Sequence, residues 1–356
     1  MNLPASPSLP SAPRGYGLCR LGGYSLLWHR RSLGVGLALS LALALLAIAS
    51  LALGGSQHLS PSATVSALLG QGEPIHQLLI RELRLPRLLA GLLSGAALGA
   101  AGCLMQTLAR NRLATPGIIG IDNGATAFAV ASIVAVPTSL APSALALSGA
   151  ASAAALTFAL ASGSGARGYR FIVVGLGIGA LFGALTNLML ARSSIDAANA
   201  AYPWTVGSLN ARPATSVLIL GIGLAIGLPL ARMLSRGLTL MRFADSVAIG
   251  LGTRLQAMRI GTLAVSVGLT AVAVAVSGPV GLIALIGPEI ARYLTGRHGV
   301  PVLNAALAGS LLMVLADWLG RTLMAPIEIP VGIVMSVIGA PYLIWILLRQ
   351  TPERHP

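Results

Sequence analysis

The stretch RELRLPRLLAG, residues 81–91, places Arg81, Arg84 and Arg87 at the mouth of a long apolar run. A guanidinium stays charged at neutral pH and presents a planar fork of donors that matches a carboxylate, so this cluster has the chemistry to recognise an acidic surface. Three acids, Asp122, Glu289 and Asp317, lie in or beside apolar segments. Charge at such depth is costly and suggests either pairing with arginines such as Arg292 and Arg321 or a proton relay; pairing is the expectation. All 23 basic residues are Arg. A phosphate-binding loop of the type G-x-x-x-x-G-K-[ST] needs a lysine, so the chain cannot be a P-loop ATPase by itself. The five His are dispersed, and Cys19 and Cys103 lie in different environments, which predicts neither a metal site nor a disulfide.

The elements that must hold these charges are membrane helices. Of 356 residues, 55% are hydrophobic and only 9% charged, and mean hydropathy is +0.84. A soluble domain carries about 25% charged residues. Strand-length segments of alternating polarity are absent, which excludes a barrel and predicts an all-α integral membrane protein. The net charge of +14 sits at the ends of apolar runs. It therefore reads as loop charge, not as a nucleic-acid surface. Residues 1–31 read as a polar tail. Ser32–Leu53 is too long for a signal-peptide core and reads as a retained helix. Further spans are expected at Pro86–Leu108, Gly117–Val136, Leu140–Ala161, Phe171–Ala191, Pro213–Leu234, Val302–Leu319 and Val331–Leu348. The region Ile260–Ile290 is broken at Gly278-Pro279 and again at Gly287-Pro288, which suggests two shorter helices. Ten spans result, within a single transmembrane domain at 32–349, followed by a short tail at 350–356. With the N-terminal tail inside, 17 arginines fall on the inner side against 6 outside. The positive-inside rule then places both termini in the cytoplasm, and Arg81, Arg84 and Arg87 become outer-face exceptions.

Gly91, Gly95 and Gly99 recur at four-residue spacing, as do Gly175, Gly179 and Gly183. Such rows let helices approach closely. A polar stretch without a span runs from about 237 to 257, and in it ADSVAIGLG has the small residues of a short helix fitted against another protein, with Asp245 positioned to cap its start.

Residues 84–125 (RLPRLLAGLLSGAALGAAGCLMQTLARNRLATPGIIGIDNGA) and 277–296 (SGPVGLIALIGPEIARYLTG) are distinctive. So are 316–347 (ADWLGRTLMAPIEIPVGIVMSVIGAPYLIWIL), WTVGSLN at 204–210 and ADSVAIGLGTRL at 244–255. In this order and spacing they resemble the permease family of binding-protein-dependent ABC importers for ferric siderophores, haem and vitamin B12. The resemblance covers residues 30–350. It implies a type II importer permease fold of ten helices per subunit in the bacterial inner membrane. It further implies two permease subunits, two separate ATPase subunits that bind the ATP and magnesium, and an external binding protein; the chain itself would hold no cofactor and no catalytic residue. Carried over residue by residue, Arg84, Arg87 and Arg321 would face the binding protein. Asp245, Ala248, Leu251 and Gly252 would form the segment that couples to the ATPase. Asn111 and Leu113, with Gly168 and Tyr169, would close the inner end of the pathway. Arg112 stands where the family usually has Pro, and Glu289 where it usually has His. Gln106, Asn123 and Asn187 would line the pathway or link helices.

The blocks at 204–210 and 277–292 lean towards catecholate-siderophore permeases, which often pair two different chains, so a heterodimer carrying a ferric siderophore is expected. Haem or cobalamin import within the same family is the alternative. A proton-coupled carrier using Glu289 or Asp317 is a rival from another class. An intramembrane enzyme lacks the necessary nucleophile–base pair.

Overall fold

A computed structural model describes residues 13, 15–21, 24–54, 59–134, 141–161, 169–296 and 299–349. The chain begins with a feature its composition did not announce. Strands β1 (Tyr16–Leu21) and β2 (Tyr24–His29) pair antiparallel, from Tyr16 opposite His29 to Leu21 opposite Tyr24. The expected polar tail thus contains a hairpin, because Tyr, Leu and Trp there favour strand pairing.

The rest is helical. Helix α1 (Arg30–Ala52) starts where the His29 ring accepts the Ser32 backbone N–H. Helix α2 (Pro61–Leu68) has Pro61 at its first position and Ser60 as its cap. Helix α3 (Pro74–Gln77) continues through a π-helical turn (Leu78–Arg84) into α4 (Leu85–Ala109). Pro86 explains the wide turn: its ring crowds the carbonyl four residues earlier and it offers no N–H, so the ladder before it shifts by one residue. After α4 come a 3-10 turn (Pro116–Ile119), α5 (Ile121–Val134), α6 (Pro142–Leu160), α7 (Tyr169–Ala191) and α8 (Ile195–Val206). The chain closes with α9 (Ala214–Leu240), α10 (Asp245–Gly250), α11 (Leu255–Ser277), α12 (Gly281–Thr295), α13 (Val302–Thr322) and α14 (Val331–Arg349).

Helix α4 is the central post, contacting α9, α11, α12 and α13. Its glycine row permits this. A Cβ on Gly95 would lie 2.4 Å from the Gly309 carbonyl, and one on Gly99 would lie 2.2 Å from the Ala305 carbonyl, both on α13. In the second row Gly175 meets the Ile118 carbonyl in the same way, but Gly183 has nothing within 4 Å.

Among the described residues, seven helices are long and apolar enough to cross a membrane, not the ten expected. Helices α5 and α12 have 14 and 15 residues, short of the roughly 20 that a bilayer core requires, while α14 has 19. The break at Gly278-Pro279 is real, with α11 ending at Ser277, but Pro288 lies inside α12 and the expected second break is absent. The chain is a multi-spanning α-helical membrane protein.

Candidate functional site

Charge concentrates at the two ends of α4. Where α4 begins, Arg84 is 7% exposed and donates to the Leu51 carbonyl and, at 3.3 Å, to that of Ala52, at the end of α1. One turn on, Arg87 donates to Asp317 at 3.0 Å and to Glu328 at 2.7 Å. Arg321, 6% exposed, lies one turn beyond Asp317 on α13, donating to its other oxygen at 3.0 Å and to the Ser50 hydroxyl at 2.6 Å. Asp317 therefore joins two arginines from two helices. Pairing lowers the cost of a carboxylate at this depth, since an unpaired buried charge is far costlier than a paired one. The pairing expected of Asp122 is not seen among the described residues, where its buried Oδ1 has no hydrogen-bond partner.

All three arginines expected to face a partner, Arg84, Arg87 and Arg321, are turned onto this chain's own groups. Arg87 keeps a side chain 12% exposed, and Arg81 is exposed. Beside them opens a cavity of about 560 Å³ lined by Glu82, Arg84, Arg87, Arg212, Arg321 and Glu328, cationic on balance. Arg212, ahead of α9, stacks 3.9 Å over the Trp204 ring and donates to the Ser208 carbonyl. Burial lowers its pKa to about 10, still far above neutral, so it remains a cation. Sequence reasoning missed Ser50 and Glu328 as members of this end, and counted Arg212 on this side without giving it a role. Glu328 had one available signal: with only nine acids in the chain, any carboxylate near a cluster of arginines was a candidate partner.

Where α4 ends, Arg110 takes a left-handed conformation (φ 50°) and crosses to the segment after α9. It donates to the carbonyls of Met241 and Phe243, both at 2.6 Å, and to Asp245 at 3.2 Å. Arg259 reaches the other Asp245 oxygen at 2.6 Å. The expected capping role of Asp245 is corrected: Ala244 occupies the cap position and Asp245 is the first helical residue of α10. Its carboxylate bridges two arginines instead, because charge-assisted bonds outweigh a bond to a neutral N–H. Helix α10 is anchored by Ala248, fully buried, while Val247, Ile249 and Leu251 are 48%, 60% and 58% exposed. Gly252 ends it at φ +82°, donating to the Ile249 carbonyl. The result is a short helix pinned at its base with an apolar face open.

Next to this anchor lies a cavity of about 760 Å³ lined by Gln106, Arg110, Arg112, Arg242, Glu289 and Arg292. Glu289 accepts from Arg112 at 3.0 Å and from Arg292 at 2.8 Å, and Arg292 also bonds Gln106, whose amide donates to the Leu285 carbonyl. Arg112 in place of Pro leaves the turn intact, because the Asn111 side chain accepts the Leu113 N–H at 2.9 Å and supplies the constraint. Leu113 is 36% exposed. Tyr169 opens α7, and Gly168 lies outside the described residues. Asn123 donates to the Gly179 carbonyl at 3.0 Å, linking α5 to α7. Among the described residues no cluster of potential metal ligands occurs.

Each end of this post-like helix thus carries an arginine-rich cavity, and a short pinned helix with an exposed apolar face stands beside one of them. Residues 42–349 match the FecCD transport family. The chain is 37% identical over 306 residues to a Fe(3+)-citrate import system permease protein of Bacillus subtilis (strain 168), covering 85% of this chain and 91% of that protein. It is 34% identical over 307 residues to the ferric enterobactin transport system permease protein of Escherichia coli (strain K12), covering 84% and 91%. A solved structure described as an inward-facing metal-chelate type ABC transporter superposes with a TM-score of 0.76 at 27% identity, over 90% of this chain and all of the other. With its family matched over most of its length and in both sequence and fold, the chain belongs to the FecCD transport family.

Proposed function

We propose that this chain is the permease subunit of an ATP-driven importer that receives a ferric siderophore or related ferric chelate from a binding protein and passes it across the bacterial inner membrane. The observation that carries this reading is the pinned α10 with its exposed Val247, Ile249 and Leu251, a surface suited to an ATPase cleft. Two ATPase subunits and a second permease chain, different from this one, complete the assembly. Helices α5, α12 and α14 would supply three further crossings, giving ten spans with both termini cytoplasmic. The cargo class follows from relatives named for ferric citrate, enterobactin, achromobactin and hydroxamates at 34–37% identity.

The binding protein would dock at the end held by Arg84, Arg87 and Arg321, with Arg87 making the direct contact and the other two shaping the face. Asp245, Ala248, Leu251 and Gly252 would transmit closure of the ATPase dimer, and Asn111, Leu113, Gly168 and Tyr169 would gate the inner exit. The test is ATPase activity of the purified complex in lipid, with and without binding protein, across ferric siderophores, haem and cobalamin. Arg87→Gln should lose most of the stimulation by the binding protein while the chain still reaches the membrane, because it removes the charge offered to an acidic partner without setting a third carboxylate beside Asp317 and Glu328. Unchanged stimulation sinks the docking role; uptake that persists without any ATPase partner, but stops with a proton ionophore, sinks the importer reading.

A further inference from the structure

A groove of about 550 Å³ lies between the hairpin, α1, α9 and α13, and the transport reading leaves it unused. Its wall is apolar: Leu33 and Leu37 on α1 and Leu303 on α13 are 54%, 65% and 46% exposed, and Trp28 stands at the hairpin end. Its other side carries Arg232 and Arg236, one turn apart on α9 and both exposed. Arg232 donates to the Ser235 hydroxyl at 3.2 Å. Among the described residues neither arginine has a carboxylate within ion-pair distance, and no acid lines the groove.

Depth decides what such a groove meets. Residues 214–231 of α9 carry no charge and rise about 27 Å, close to the thickness of a bilayer core. Arg232 and Arg236 follow directly, so they lie at headgroup level. On α1, Arg30 and Arg31 precede an uncharged run, and Trp28 sits just before them, as interfacial aromatics do. The groove therefore presents two cations at the phosphate plane and leucines one step deeper.

We propose that this groove binds an anionic phospholipid, its phosphate between Arg232 and Arg236 and an acyl chain along Leu33, Leu37 and Leu303. A zwitterionic lipid carries its own cation beside the phosphate and would gain less from paired arginines. The groove abuts the inner-end cavity through Gly299, Val300 and Pro301, which line both. The inference depends on the membrane placement of α1 and α9 and not on the cargo.

The experiment is native mass spectrometry of the full chain, with whichever subunits co-purify, after exposure to equimolar phosphatidylglycerol and phosphatidylcholine. Wild type should retain phosphatidylglycerol preferentially, and excess inorganic phosphate should not displace it. R232Q/R236Q should weaken that retention on the order of 30-fold, at roughly fivefold or more per arginine. R192Q/R254Q, with the same charge loss away from the groove, should leave it unchanged. If the double variant does not insert, R236Q against R236K decides: the lysine should retain the preference and the glutamine lose most of it. Equal retention of both lipids by wild type, or an undiminished preference in R232Q/R236Q or R236Q, overturns the proposal and leaves the groove to a protein partner. Displacement by phosphate also overturns it.

Discussion

Asp317 is the residue on which one end of the molecule turns. It accepts from Arg87 and from Arg321, each at 3.0 Å, and its side chain is 7% exposed. Removing its charge leaves two arginines facing each other in a low-dielectric setting. Asp317→Asn should therefore cost about 3–5 kcal/mol of stability. Arg87→Gln in the same background should restore part of the loss, since the two sites share one interaction and their effects are not additive. Thermal unfolding of the four proteins of this cycle in detergent checks it, and strict additivity would show that Asp317 and Arg87 act independently. That Asp317 is paired was legible in the chain, because an acid in an apolar run needs a cation and Arg321 stands four residues away. That Glu328 and Ser50 complete the cluster was not. They come from 241 residues after Arg87 and 271 before Arg321, a separation that leaves no local spacing to read.

At the scale of elements, the helices that cross most of the bilayer were plain in the sequence, because an apolar run of about 20 residues admits few other structures. What was hidden is what hydropathy does not encode. The hairpin has ordinary strand residues in a short, polar-looking context. Pro288 looked like a helix breaker but lies within α12, with Gly287 packed against the α13 backbone at Gly309. Helix α10 was legible as a segment and misread in detail, since the Asp245 partners lie 135 residues back at Arg110 and 14 on at Arg259. Its exposed face gives a prediction. Leu251→Asp should leave the chain inserted but weaken its association with the ATPase by about 2 kcal/mol, roughly 30-fold, because a charge would enter an apolar contact. Gly252→Ala should be milder. Its φ of +82° strains any side chain, about 1–2 kcal/mol, but nothing lies within 4 Å to clash. Pull-down of the ATPase by each variant ranks them, and equal recovery would remove α10 from the interface.

For the whole molecule, the arginine distribution in the sequence bears on which way the bundle faces. On the proposed ten-span reading of the sequence, 17 of the 23 arginines fall on the side to which the end of α4 belongs, which the positive-inside rule would assign to the cytoplasm. The cluster at 81–87 would then lie outside; in it Arg87 is paired within the chain to Asp317 and Glu328, and Arg84 holds the end of α1. This reconciles the cluster with the rule: most of its charge is neutralised or buried within the protein, so little is left to oppose insertion. The orientation is testable because cysteine is scarce. Cys103 is fully buried, and Cys19→Ser removes the other thiol. In that background Arg81→Cys should react with a membrane-impermeant maleimide in right-side-out vesicles, and Leu251→Cys, at an exposed site, only after the membrane is opened. The reverse pattern would turn the bundle over and carry with it both the docking role of Arg87 and the ATPase role of α10, since each depends on the side of the membrane it faces.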